Sequence, residues 1–253
     1  MDFTGGETTY SYIYDPGSQE VKEIRETANS KLIAQFDYDN NGNVLHLSTS
    51  DSAITRPYAL VFSYDPASML PVGIANDGPG GSSVNLTYGC RNERVMKEIT
   101  GDPETAGKKL YSRGTNAMPL QELFVGKTTT CVNYIYGPGG LIAMRHLDGA
   151  STELFHILKD HIGSVRGVMN LKGDMVASYQ YQTFGALTNV LEPSPGFMPY
   201  LYTGQEYDAE IGLYNYRARF YCAGIGRFIA IDPGRQYFSP YIYASNNPVL
   251  FIY

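Results

Sequence analysis

At 253 residues, 43% of them apolar and with a formal charge of −6, the chain is long enough to bury a substantial core and is not a disordered polymer. No basic run exceeds Lys108-Lys109, which argues against a nucleic-acid partner, because such partners are held by clustered Lys and Arg. No apolar run approaches the roughly 20 residues of a membrane span, and Met1 to Gly6 offers neither the basic start nor the apolar stretch of an export signal.

Tyrosine occurs 22 times and tryptophan not at all, beside 27 glycines and 14 prolines. Tyrosine packs well on a pleated surface, so the composition predicts sheets with frequent turns. In chain order, Tyr10 to Tyr14 followed by Asp15-Pro16-Gly17 reads as strand then turn. Ser18 to Ser30 is open between a helix and a strand pair. The best-formed unit is Phe36 to Leu47, where two β-favouring runs flank Asp39-Asn40-Asn41-Gly42-Asn43, a hairpin signature. Leu60 to Tyr64 before Asp65-Pro66, and Val132 to Tyr136 before Gly137-Pro138-Gly139-Gly140, are looser copies. Tyr14, Tyr38, Tyr64, Tyr88, Tyr111 and Tyr136 recur at steps of 24, 26, 24, 23 and 25 by subtraction. A hairpin cannot bury its apolar face alone, so hairpins at this period must join into one curved sheet, with the tyrosines aligned as a ladder. Residues 76–83, 101–109 and 192–196 read as surface loops joining hairpins.

Further on, Glu206 to Glu210 with Gly212 reads as a polar turn between Leu201-Tyr202 and Leu213-Tyr214. Asn215 to Tyr221 alternates as a strand, placing Tyr214, Tyr216, Ala218 and Phe220 on one face and Arg217, Arg219 and Tyr221 on the other. Two arginines on one strand face are expected to pair with Glu206, Asp208 or Glu210 and to stack on tyrosine.

The series of motifs resembles the Rhs/YD-repeat proteins. Tyr38-Asp39-Asn40-Asn41-Gly42-Asn43 is similar to their YD repeat. Asp160-His161-Ile162-Gly163-Ser164 with Phe184-Gly185 resembles the family's linker into its core. The block from Tyr202 through Gly204, Glu206-Tyr207-Asp208, Gly212-Leu213-Tyr214, Arg217, Arg219 and Tyr221 resembles the Rhs repeat-associated core, as do Gly226-Arg227-Phe228, Asp232-Pro233 and Asn246-Asn247-Pro248. The resemblance divides the chain into degenerate YD repeats (1–153) and a core domain (154–253). It implies an all-β fold, a strip of antiparallel hairpins spiralling into a shell, as in polymorphic toxins, insecticidal toxin complex C components and teneurins. The implied function is non-enzymatic: part of a secreted or cell-surface shell, in a larger protein, that encapsulates or presents a C-terminal toxin or a partner segment. A teneurin-like adhesion or carbohydrate-binding surface is the alternative.

Bacterial relatives cut themselves with two aspartates, one in an Asp-Pro after Gly-Arg-Phe and one in a later Asp-Pro. Here Asp232 supplies the first, with Arg227 nearby, but Asn247 to Tyr253 ends where the second would begin. Aspartyl chemistry needs two carboxylates sharing a proton, so self-cleavage is expected only in a natural protein that extends past Tyr253, and Asp232 reads as a turn residue paired with Arg227. Asp160, His161 and Ser164 are triad residue types crowded into one turn, without relay geometry. Gly101 to Lys109 lacks phosphate-loop spacing. His46, His146, His156 and His161 lack metal-ligand spacing, and Cys90, Cys131 and Cys222 read as three buried inert thiols. No cofactor or metal is expected. Some six repeats and a core are short for a closed shell, so an open sheet with an exposed, self-associating edge is predicted.

Overall fold

The computed structural model describes residues 9–18, 20–50, 58–78, 81–115, 118–149, 151–234 and 239–250. The residues read for an export signal, Pro79 and Gly80 of the 76–83 loop, and Phe251 to Tyr253 lie outside the described residues. Sixteen strands follow in chain order, each antiparallel to the next. They are β1 (Tyr10–Tyr14), β2 (Val21–Glu26), β3 (Leu32–Tyr38), β4 (Val44–Thr49), β5 (Tyr58–Tyr64), β6 (Pro71–Asn76), β7 (Ser83–Tyr88) and β8 (Arg94–Thr100), then β9 (Gly107–Arg113), β10 (Pro119–Gly126), β11 (Thr129–Gly137), β12 (Gly140–Asp148), β13 (Ser151–Lys159), β14 (Val165–Asn170), β15 (Met175–Tyr181) and β16 (Leu187–Leu191). The sheet is open, with β1 and β16 as its edges. It runs unbroken past residue 154 to Leu191. The undecided stretch at 18–30 contains β2, fixed by burial of Val21 and Ile24. Gly107 to Lys109, expected in a loop, begin β9 instead.

One irregularity gives the repeat its form. Every odd-to-even hairpin carries a register shift beside its turn, a bulge in which the even strand has the extra residue. The bulge breaks the two-residue alternation, so the first and fourth residues of the even strand both face inward, as in Val21/Ile24, Val44/Leu47 and Pro71/Ile74. Past the bulge, the odd-strand residue next to the turn pairs across the sheet's rim, one residue before the strand end in β11. These rim positions are Tyr14, Tyr38, Tyr64, Tyr88, Arg113, Tyr136, Lys159 and Tyr181.

The tyrosine ladder is therefore real, but Arg113 and not Tyr111 occupies its fifth rung. Tyr111 belongs to the inward row two residues upstream, with Phe36, Phe62, Leu86 and Tyr134. After Tyr14, each rim hydroxyl crosses to the preceding hairpin: Tyr38 donates to the Val21 carbonyl (3.0 Å), Tyr64 to Val44 (2.8 Å), Tyr88 to Pro71 (2.9 Å), Tyr136 to Pro119 (2.7 Å) and Tyr181 to Val165 (2.7 Å). Burial pushes the Tyr38, Tyr64 and Tyr88 hydroxyls above their ordinary pKa and Tyr136 up to about 12, so the rungs stay protonated donors.

The Asp39–Asn43 turn explains the hairpin signature. The Asp39 carboxylate accepts the amides of Asn41 (2.9 Å) and Asn43 (2.8 Å), while Gly42 alone takes positive φ (+78°). Asp160 repeats the motif towards Ile162 and Ser164, with Gly163 at +85°.

After β16 the chain folds inward as a plug of four short strands, β17 (Glu206–Asp208), β18 (Leu213–Asn215), β19 (Phe220–Cys222) and β20 (Arg227–Phe228). The strand expected over Asn215 to Tyr221 is broken by a turn at Arg217, which sits at φ +68°. Tyr214 consequently pairs with Tyr221, and Tyr221 with Phe228, on one face of the plug, whereas Phe220 lies on the other. Leu213, Phe220 and Cys222 join the core formed by β2 to β8. Tyr214, Tyr221 and Phe228 join the core formed by β11 to β15. The strip thus wraps both faces of its own C-terminal segment. Only Cys222 is a buried thiol; Cys131 is half-buried and Cys90 exposed, contrary to the expectation of three buried cysteines.

Candidate functional site

Where wall meets plug, the repeat changes character. In β8 the two inward positions after the bulge are Arg94 and Lys97, where the earlier repeats hold aliphatic residues or proline. In β10 the fourth residue is Glu122. The plug answers with Glu206 and Asp208 of β17 and Glu210 in the following turn.

The geometry is a clasp. Arg94 grips Asp208 with both terminal nitrogens (2.6 and 3.1 Å), and its Nη2 lies 2.6 Å from Glu206 Oε2. Lys97 Nζ donates to Asp208 (2.7 Å) and Glu210 (3.0 Å). Arg113 lies 3.5 Å from Glu206 and donates through Nε to the Arg94 carbonyl (2.9 Å), doing the work of the missing rim tyrosine. Tyr111 donates to Glu206 (2.7 Å) beneath the guanidinium groups of Arg94 and Arg113. Alongside, Lys109 reaches Glu122 at 3.2 Å, and Tyr200 donates to Glu122. Four cations (Arg94, Lys97, Lys109, Arg113) meet four carboxylates (Glu122, Glu206, Asp208, Glu210).

Arg94, Lys97, Glu206 and Asp208 have side chains no more than 3% exposed. Burial alone raises a carboxylate's pKa, but Arg94 and the neighbouring cations outweigh it and hold Glu206 and Asp208 below their ordinary values. Burial alone would lower Lys97; Asp208 and Glu210 outweigh it and hold Lys97 up. These shifts favour the charged forms, in which the ion pairs hold wall and plug together.

The expected ion pairs of Glu206, Asp208 and Glu210 form, but with cations of the wall and not with Arg217 or Arg219. Arg217 is exposed. Arg219 is buried over Phe228 (3.7 Å) and lies 3.5 Å from Asp232. Arg219 therefore takes the place beside Asp232 expected for Arg227, which instead lies over Tyr241 (5.6 Å) and reaches Ser239 (3.5 Å). Asp232 also accepts the Gly234 amide (2.9 Å), and Pro233 is exposed.

The two motif groups meet in space. The Ser164 hydroxyl accepts the Thr203 amide (2.9 Å), beside Gly163 and Gly204. Tyr214 and Tyr221 donate to the Gly185 and Phe184 carbonyls (3.1 and 2.8 Å). Gly226 passes under Phe184, Gly185 under Tyr202. Tyr207 packs at a tilt against Tyr214 (4.8 Å), and Gly212 has the expected positive φ (+70°). His161 is exposed on its turn, and Asp160 pairs with Arg166 (2.8 Å). Asn246 completes a left-handed turn with Ala244 and Ser245; Asn247 donates to Ala244 (2.8 Å), and Pro248 is buried. The clasp residues missed from the sequence are Arg94, Lys97, Lys109, Arg113 and Glu122. For all but Lys109 the signal is a charge standing in a repeat position that is otherwise aliphatic, proline or tyrosine.

Comparison with known proteins adds the following. The family model described as Teneurin YD-shell matches residues 75–250. Salivary gland surface protein 1 of Aedes aegypti is 38% identical over 178 residues, covering 66% of this chain and 5% of that protein. tRNA nuclease WapA of Bacillus subtilis strain 168 is 27% identical over 260 residues, 90% of this chain and 11% of that protein. Human teneurin-4 is 24% identical over 281 residues, 96% of this chain and 10% of that protein. The chain thus spans only a small part of these relatives. Among solved structures, TcdB2-TccC3 shares 14% identity at a TM-score of 0.45, covering 96% of this chain and 18% of that one.

Proposed function

Because the chain belongs to the Teneurin YD-shell family, we propose that it is a wall segment with its own internal plug, whose work in a longer protein is to enclose or present a polypeptide and not to catalyse. The carrying observation is the clasp. A strip whose fourth hairpin exchanges core residues for the buried cations Arg94 and Lys97, matched to Glu206, Asp208 and Glu210, is specialised for holding its own C-terminal segment inside. The open edges favour a wall that continues. Between β1 and the β15–β16 turn lies a cavity of about 700 Å³ bordered by Tyr10, Tyr12, Tyr14, Phe184, Arg227 and Asn246. On this reading residues 154–253 act as the closing core, and the protein works outside the cell. Asp232 serves there as an internal tie to Arg219.

The test is a fusion carrying a protease-sensitive peptide directly after Tyr253. Enclosure predicts cleavage at least about tenfold slower than that of the free peptide, a differential protection of roughly 1.4 kcal/mol. Cleavage at the free-peptide rate would overturn it. Hydrolysis of tRNA by the purified chain would overturn the non-catalytic part.

A further inference from the structure

A cavity of about 260 Å³ lies at the rim, where four successive rim residues, Tyr88, Arg113, Tyr136 and Lys159, face the plug. Of the eight rim positions, the two that carry a cation in place of tyrosine both border this space. Arg113 keeps the rim bond, donating to the Arg94 carbonyl, whereas Lys159 donates to the Gly139 carbonyl in the β11–β12 turn, each at 2.9 Å. Both exchanges add positive charge.

From the plug side, Arg217 borders the same cavity. It holds φ at +68°, where the hairpin turns at Gly42, Gly163 and Gly185 use glycine. A side chain kept at a strained position points to a role for that side chain. Among the described residues, neither Lys159 nor Arg217 forms an ion pair. Arg94 also borders the space, and its buried Nε has no hydrogen-bond partner among the described residues. The acids present are Glu206, already engaged by Arg94 and Arg113, and Glu93. Met118 and Leu141 supply apolar wall.

We propose that this cavity binds a carboxylate of a polypeptide, either an Asp or Glu side chain or a chain terminus, between Lys159 and the Arg217 fork. Charge-assisted bonds to a planar carboxylate suit a guanidinium. The Glu206 charge at the wall disfavours a dianion such as phosphate. The volume is ample for an acidic side chain, and the apolar wall receives the carbon atoms beside the carboxylate. This assignment rests on the cavity alone and stands whether or not the chain encloses a cargo.

Calorimetric titration of the purified chain with acetyl-glutamate amide, acetyl-alanine, neutral acetyl-glutamine amide and inorganic phosphate tests it. At least one carboxylate should saturate the site, with the glutamine analogue bound about tenfold more weakly or worse. Binding of the first compound identifies a side chain, of the second a terminus, and either supports the proposal. Lys159→Gln and Arg217→Gly should each weaken binding about tenfold. Arg217→Gly should do so with unchanged or raised thermal stability, since it relieves the positive φ. Lys127→Gln, at a distant exposed pair, should bind as the parent does. Absence of binding by both carboxylates, equal binding of the neutral analogue, tighter binding of phosphate, or undiminished binding by both cavity variants would each overturn it.

Discussion

Removing the Asp208 carboxylate probes the clasp most directly. In Asp208→Ala, Arg94 keeps Glu206 at 2.6 Å and Lys97 keeps Glu210 at 3.0 Å, but each loses its most buried acid. Breaking a buried ion pair costs about 3–5 kcal/mol, because the abandoned charge remains out of water. With partial compensation by Glu206 and Glu210, the low end applies, about 3 kcal/mol or roughly two orders of magnitude in the folding constant. Adding Lys97→Ile installs the residue found at the matching Ile24 and Ile74 positions. It should recover at least about 1 kcal/mol, since a lysine left with too little acid is exchanged for apolar packing. Urea denaturation of the parent, both single variants and the double variant, with unchanged slope, measures this. A loss under about 1 kcal/mol for Asp208→Ala, or a double variant no more stable than Asp208→Ala, would refute the view that these charges depend on one another.

The clasp also sets acid sensitivity. Glu206 and Asp208 are depressed in the folded state, so their stabilisation is present above the ordinary carboxylate pKa of about 4. It is lost progressively as pH falls below that and through the folded values, so the urea midpoint should drop on acidification, less steeply in Asp208→Ala. Tyr64→Phe removes one rung and should cost about 1 kcal/mol in the same assay. Gly42→Ala should cost more, about 2 kcal/mol or above. It places a methyl group at positive φ against Ile231 and within 2.9 Å of the Tyr241 hydroxyl, which itself bonds the Gly42 carbonyl. The rim tyrosines have raised folded pKa values, so their contribution is present below the ordinary value of about 10 and is lost as pH rises through the folded ones. With no tryptophan to obscure phenolate absorbance, an alkaline titration should show exposed tyrosines ionising first and the rungs only with unfolding. Ile13→Lys on the exposed edge strand β1 should reduce concentration-dependent association in sedimentation, by disfavouring edge pairing.

The hairpin period was legible because turn chemistry and aromatic spacing are local. It was misread once, at Tyr111, where an inward aromatic lies two residues before a rim position filled by arginine. The plug's alternation from Asn215 to Tyr221 reads as one strand, and only the positive φ of Arg217, where the sequence shows no glycine, divides it. Three acids of the clasp, Glu206, Asp208 and Glu210, could be named from the sequence through the cost of burying Arg217 and Arg219, but Glu122 could not. Their partners could not, because Arg94 and Lys97 are brought inward by a bulge and meet residues more than a hundred positions away. The exchange of Arg219 for Arg227 beside Asp232 has the same origin, since the plug's turns set which arginine arrives.

The rungs bear on how the strip responds to force. Each ties one hairpin to the one before it at a single rim, so a pull on β1 meets the sheet one hairpin at a time. Every event should free about 24 residues, or some 80 Å at about 3.4 Å per residue. The first three hairpins would yield in such steps. At the fourth, tension passes through Arg94 and Lys97 into the plug, and extension should halt until the clasp parts and the whole C-terminal segment comes free at once.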